Sequence, residues 1–478
     1  MRDILRDLMD SAAGRADYAD VRHVALREEA IAMRNGELDE LDAHDEEGFG
    51  VRVQLGGGWG FAAARGSDRA AAEDALSRAL ALAEAQPRGA ARALTPEPAA
   101  TGRYVSPAAT DPFAVSLDDK LGLLATADAA LRGEPLVAVA LAQLQSRSER
   151  KLFASTEGAL CEQRLTECGG GISATAVRGD DAQTRSYPAS HSGHVAQAGW
   201  EHVLALDLPA HAPRIAAEVA ALLGASRCPE GPTTLVLAGE QLALQIHESV
   251  GHAVELDRVL GYEASYAGTS WAPAVGPGTL RYGSDALSIT ADATLPGALG
   301  SYRWDDEGVP AQSMPIVRDG VLQGFLSNRQ SAAEIGLPRS GGCARAEGFA
   351  RQPIVRMTNV SLDPGEGGSL EQLLSGVQRG VYIETNRSWS IDSRRLNFQF
   401  GGEAAREIVD GQLGRLLRDP VYAGVTPQFW GSLDAVCSAE EWELVSFTDC
   451  GKGEPGQIAR VSHGCAPARF RGVRVGAA

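Results

Sequence analysis

Two histidines stand five positions apart in Gln245-Ile246-His247-Glu248-Ser249-Val250-Gly251-His252, inside a stretch where Leu242, Ile246, Val250 and Val254 recur every fourth residue. That recurrence predicts a helix. On a regular α-helix five residues advance by about 500°, so the two rings would point roughly 140° apart and could not share a ligand. A π-type turn, closed from i to i+5, brings them back to one side, and such turns gather at functional sites. Gly251, just before the second histidine, is the residue best able to permit the distortion. The spacing therefore predicts a bulge or break between His247 and His252 if the two act together.

The residue types give a reason for them to act together. Neutral imidazole is the commonest nitrogen donor to zinc, and zinc brings the pKa of a bound water down to roughly 7. Glu248, beside the first histidine, can take a proton from such a water and give it to a leaving amine. The better-known H-E-x-x-H arrangement sets its two ligands one turn apart; here the spacing is H-E-x-x-x-H. Catalytic zinc takes three protein donors and keeps a position open, so a third donor is required. Asp257, Glu263, His463 and the cysteines are candidates. Cys450 stands out because Thr448-Asp449-Cys450-Gly451-Lys452-Gly453 is a polar, glycine-rich loop in which a thiolate is stabilised and closely approached. The plainer reading is a surface pair of histidines, an ordinary i,i+4 contact between Glu248 and His252, and a small core cysteine.

Several segments taken in order resemble the TldD/PmbA metallopeptidase family. They are Gly48-Phe49-Gly50-Val51-Arg52-Val53, Gly58-Trp59-Gly60-Phe61-Ala62, Cys228-Pro229-Glu230-Gly231-Pro232-Thr233-Thr234-Leu235-Val236-Leu237, His247-Glu248-xxx-His252, Asp305-Asp306-Glu307-Gly308-Val309-Pro310-Ala311-Gln312, Arg356-Met357-Thr358-Asn359 and Asp449-Cys450-Gly451-Lys452. Together they span nearly the whole chain. The resemblance implies one Zn2+ per chain held by His247, His252 and Cys450, with Glu248 as catalytic base. It also implies small or unfolded peptide substrates in an enclosed cavity, a homodimer or a heterodimer with a metal-less relative, and an active rather than inactive subunit. Two alternatives stay open: a metal-binding but non-catalytic partner subunit, and a zinc amidohydrolase acting on a non-peptide amide.

Composition limits the partners. The net charge of −18 argues against nucleic acid and against an anionic membrane surface, both of which require basic patches. Seven scattered cysteines, an odd number in 478 residues, do not resemble a disulfide framework and fit a reducing compartment. No signal-like apolar core and no 18-residue apolar stretch is evident, so a cytoplasmic location is expected.

The expected architecture is α+β: an N-terminal mixed domain over 1–227 with a linker at about 87–112, then a mostly β catalytic domain over 228–478 carrying the H-E-x-x-x-H helix. Strand alternation marks 18–64, with Gly56-Gly57-Gly58 as a hairpin turn rather than a phosphate cradle. Ser67 is placed as the cap of a helix ending near Ala85. Further helices are expected over 117–131 and in a pair near 199–224, and Asp319-Gly320 marks a hairpin. His191 and His194 read as a solvated loop, Asp305-Asp306-Glu307 as a solvated acidic turn, and Arg345 and Arg356 as carboxylate binders or loop anchors.

Overall fold

The computed structural model describes residues 1–476 apart from 88, 90–92 and 192. Two large sheets organise it. The first runs in the order Gly58–Arg65, Glu37–Leu55, Tyr18–Arg34, Val137–Ser155, Leu160–Arg178, Thr101–Val105, with Asp181–Tyr187 and His194–Ala196 also paired to Leu160–Arg178. Its long strands alternate as period-two pleating demands. Ala19, Val21 and Ile31 point to one face with Phe49, Val51 and Val53 of the neighbouring strand, and helices cover that face at both ends. Arg2–Ala12 and Arg69–Glu84 pack at one end; Leu117–Leu131 and Leu208–Leu222 pack at the other. The Arg69–Glu84 helix is capped by Asp68, not Ser67, because the Asp68 side chain accepts from Ala71 N–H. Within the stretch expected as a linker, Thr101–Val105 adds to the sheet edge in parallel with Leu160–Arg164. Residues 88 and 90–92 of that stretch lie outside the described residues.

The second sheet belongs to the C-terminal half and closes on itself. Arg379–Ile391, Gly231–Leu237, Ala468–Val475, Val421–Val425 and Asn397–Val409 pair in order, and Asn397–Val409 pairs back onto Arg379–Ile391. Gln412–Arg418 and Ser226–Arg227 extend it, so the chain enters this sheet just before the boundary expected at 228. Smaller sheets flank the barrel, among them the hairpin of Glu443–Lys452 with Gln457–Cys465. The turn between Ser313–Arg318 and Val321–Leu322 has positive φ at Asp319 and Gly320, the mirror-image turn that Asp-Gly favours. Among the described residues no helix is long and apolar enough to cross a membrane.

The polar face of the first sheet meets the second half through buried ions. Arg52 donates to Asp20 at 3.1 Å on its own sheet and to Glu307 at 3.0 Å across the junction. Lys151 pairs with Asp306 at 2.7 Å. Asp305 accepts the backbone N–H of Glu307, Val309 and Ala344. The three acids expected in a solvated turn are thus only 4%, 2% and 5% exposed. Adjacent acids look like a surface cluster until the basic side chains of a distant sheet are placed over them.

Arg52→Ala would leave Asp20 and Glu307 buried with a missing partner. The expected cost is about 3–5 kcal/mol in urea unfolding, against about 0.5 kcal/mol or less for Arg65→Ala at the exposed rim.

Candidate metal centre

The strand Gly231–Leu237 leads into the helix Gly239–Ile246, which widens into a π turn over His247–Gly251 and tightens into a 3-10 turn over His252–Val254. The His252 N–H donates to the His247 carbonyl, an i to i+5 closure. The two rings consequently stand 4.9 Å apart between centroids at 89°. Gly251 keeps helical angles, φ −47 and ψ −61, so its backbone freedom is not what the turn uses. A Cβ there would lie 2.1 Å from Met357 Sδ, and the turn needs the space instead.

Cys450 arrives from the hairpin Glu443–Lys452, where the register slips between Phe447 and Cys450. Its Sγ stands 3.6 Å from His252 Nε2, and one donor atom from each of His247, His252 and Cys450 falls within 4.8 Å of the others. Tetrahedral zinc with Zn–N of about 2.0–2.1 Å and Zn–S of about 2.3 Å separates N and S by about 3.6 Å, which is the His252–Cys450 spacing, and two imidazole nitrogens with one thiolate suit that ion chemically. All three side chains are buried.

Hydrogen bonds fix which ring nitrogen is free. His463 Nδ1 donates to the Val360 carbonyl at 2.6 Å, which leaves His463 Nε2 as the acceptor for His247 Nδ1–H at 2.7 Å. His247 Nε2 then carries a lone pair. His252 Nδ1 donates to Glu255 Oε2 at 2.8 Å, which leaves His252 Nε2 free in the same way. Such partners orient metal-binding histidines and raise their basicity. Burial pushes His247, His252 and His463 below the ordinary imidazole pKa, favouring the neutral form. Burial alone would push the Cys450 thiol up, but His252 and the Arg356 guanidinium, 3.2 Å from Sγ, hold it below its usual value.

Of the alternative third donors, none joins the cluster. Asp257 accepts from Lys452 Nζ at 2.6 Å, Glu263 pairs with Arg258 at 3.2 Å, and His463 stands behind His247. Arg356 anchors the cysteine hairpin through the carbonyls of Cys450 and Gln457. Arg345 bonds the Met357 carbonyl. His191 and His194 do not converge: His191 sits edge-on to Trp389, while His194 Nδ1 meets His202 Nε2 at 3.1 Å. Ser192 between them lies outside the described residues. Glu255 and Arg395 carried no motif of their own, although Glu255 at i+3 from His252 was a readable helical-spacing signal.

The three donors face a cavity of about 410 Å³ lined also by Glu240, Leu244, Glu248, Trp389, Arg395 and residues 445–449. The Glu248 carboxylate accepts from Arg395, which projects from the tip joining Arg379–Ile391 to Asn397–Val409. Asp392 holds that tip by accepting the N–H groups of Arg394, Leu396 and Asn397.

A buried N, N, S donor set opening on a cavity beside a carboxylate is the arrangement of a metal-dependent hydrolase, and the comparisons define the class more closely. Residues 19–83, 110–226 and 230–477 match the models of domain 1, the central domain and the C-terminal domain of the PmbA/TldA metallopeptidases. A metalloprotease of Methanothermobacter thermautotrophicus is 30% identical over 99% of this chain and 97% of its own. A metalloprotease of Methanocaldococcus jannaschii is 28% identical over 94% of each. A zinc metalloprotease TldD homolog of Saccharolobus solfataricus is 26% identical over 52% of each chain. The crystal structure of TldE from Thermococcus kodakarensis shares the fold, with a TM-score of 0.77 and 15% identity over 99% of this chain and 100% of that one. The chain belongs to the PmbA/TldD metallopeptidase family.

Gly251→Ala would drive a methyl into Met357, and overpacking of this kind costs about 1–3 kcal/mol in denaturant unfolding. Adding Met357→Ala is expected to recover part of that loss, a coupling of about 0.5 kcal/mol or more. Unchanged stability in the single variant would contradict the close approach.

Proposed function

We propose that this chain is a zinc-dependent peptidase that hydrolyses peptide bonds in small or unfolded peptides, one ion being held by His247 Nε2, His252 Nε2 and Cys450 Sγ. The observation that carries the reading is the convergence of those three buried donors, with tautomers set by His463 and Glu255, on a cavity whose wall includes Glu248. When bound, zinc supplies a Lewis acid that polarises a carbonyl and makes water a nucleophile near neutral pH.

The chain's own residues supply the remainder. Glu248 acts as general base toward the attacking water and returns the proton to the leaving nitrogen. Arg395 holds the Glu248 carboxylate against the cavity wall. Substrate enters as an added strand. Glu443–Lys452 pairs only with Gln457–Cys465 among the described residues, and its residues 445–451 line the cavity, which supports that mode. The assembly that encloses the cavity is a dimer, with an identical chain or a metal-less relative.

Metal analysis and mass spectrometry of incubated peptide mixtures test this directly. Wild-type protein is expected to carry zinc and cut peptides, and His252→Ala and Cys450→Ser to lose both. Glu248→Gln is expected to keep the metal and lose turnover by a factor of about 100 or more. Full turnover in Glu248→Gln would remove the base assignment; turnover on non-peptide amides alone would redirect the substrate class.

A further inference from the structure

The cavity has a second polar end that the hydrolytic chemistry does not use. Glu240 opens the helix Gly239–Ile246 seven positions before His247. Seven residues are close to two whole turns, so both lie on one helix face, separated by a rise of about 10 Å. Leu244 lies between them on the cavity wall.

Glu240 is half-buried, and its oxygens are unequally served. Oε1 accepts the Ser190 N–H at 3.1 Å, the Ser190 hydroxyl at 3.1 Å and the Asn386 N–H at 3.3 Å. Thr385 also acts on the carboxylate, yet buried Oε2 has no hydrogen-bond partner. Asn386, 3% exposed and on the same wall, keeps its side-chain Nδ2 donor unpartnered as well. An orphan acceptor beside an orphan donor is costly in a protein interior, and anchoring the Ser190 and Asn386 backbones requires only Oε1.

Burial raises the Glu240 pKa while bonds from Ser190, Thr385 and Asn386 lower it, and no cation is among these chief influences. Arg185, which pairs with Glu403, is shared by Glu218, Glu384 and Glu403 at 3.0, 3.2 and 3.6 Å. The cavity itself carries Glu240, Glu248 and Asp449 against Arg395, which Glu248 engages. A buried carboxylate without a countercharge calls for a cationic ligand group. The donor on Asn386 calls for a carbonyl next to that group. A peptide's first residue offers both: an ammonium for Glu240 and its own carbonyl for Asn386.

We propose that Glu240 and Asn386 form a subsite for a substrate ammonium group at the end of the cavity remote from the metal donors. This rests on the peptidase reading for the identity of the substrate. At about 3.3 Å per extended residue, a rise of about 10 Å places the cleaved bond about three residues from that ammonium. The group is either a free amino terminus or a lysine side chain, and the test separates them.

The probes are one synthetic peptide in three forms: free amino terminus, N-acetylated, and N-acetylated with lysine as its first residue. Wild-type kcat/KM is expected to favour the free form over the acetylated one on the order of a hundredfold, the scale for losing one partner of a buried charge pair. The first cut should fall about three residues in. Glu240→Gln, which keeps the shape and loses the charge, should erase that preference while still cutting the acetylated peptide. Recovery with the acetyl-lysine form establishes the ammonium chemistry with a side chain as its source.

Equal wild-type rates on all three peptides would overturn the subsite, as would a Glu240→Gln variant that slows all three peptides alike. The wild-type comparison stands even if that variant does not fold. Calorimetric binding of the same peptides to Glu248→Gln protein separates the two readings. A free-amine preference in binding, with no cleavage by wild type, would leave the subsite and sink the peptidase; binding without preference would sink the subsite.

Discussion

Two imidazoles placed five residues apart can share a ligand only if the helix between them is distorted, here by closure from i to i+5, and much of the C-terminal half supports that turn. The π turn over His247–Gly251 cannot stand as an isolated wide helix. It is held at its start by a helix leaving the closed sheet, and at Gly251 by Met357, which comes close enough to exclude a side chain. Tyr282 hydroxyl donates to the Ser249 carbonyl, and Trp430 Nε1 donates to the Ser249 hydroxyl, at 2.6 and 2.9 Å. These bonds satisfy polar groups within a turn whose residues are all buried.

A single hairpin then completes the site, with one contribution from each of its strands. Cys450 brings the sulfur on Glu443–Lys452, and His463 brings the bond to His247 on Gln457–Cys465. Lys452, two residues beyond the cysteine, reaches the carboxylates of Asp257, Glu255 and Glu263 at 2.6, 3.5 and 3.7 Å, tying the hairpin to the segment behind His252. The three acids that follow His252, Glu255, Asp257 and Glu263, therefore gather around Lys452. The buried ion pairs between the first sheet and the Asp305–Glu307 turn fasten the N-terminal half to this arrangement. A layer of this kind is specific in geometry, because each charge is costly without its partner.

Local signals were legible where local physics decides. The alternation at 18–64, the helix at 117–131 and the Asp319-Gly320 turn can all be read from period and turn chemistry. The i,i+5 histidine spacing pointed to the π turn, although Gly251 serves it by leaving room and not by its backbone freedom. What escaped depends on distant residues. Asp305-Asp306-Glu307 looked solvated because Arg52 and Lys151 arrive from another sheet. Thr101–Val105 looked like linker because its partner strand begins almost sixty residues later. His463, Arg356 and Arg395 matter through what they touch, and no spacing in the sequence states those contacts.

The central claim is that two ring nitrogens and one thiolate grip a single ion. X-ray absorption at the zinc edge of the purified protein measures that shell directly. A first shell with one sulfur at about 2.3 Å and nitrogen or oxygen donors at about 2.0–2.1 Å, losing its sulfur in Cys450→Ser, is the predicted result. A shell without sulfur, or one that keeps its sulfur in Cys450→Ser, would contradict it.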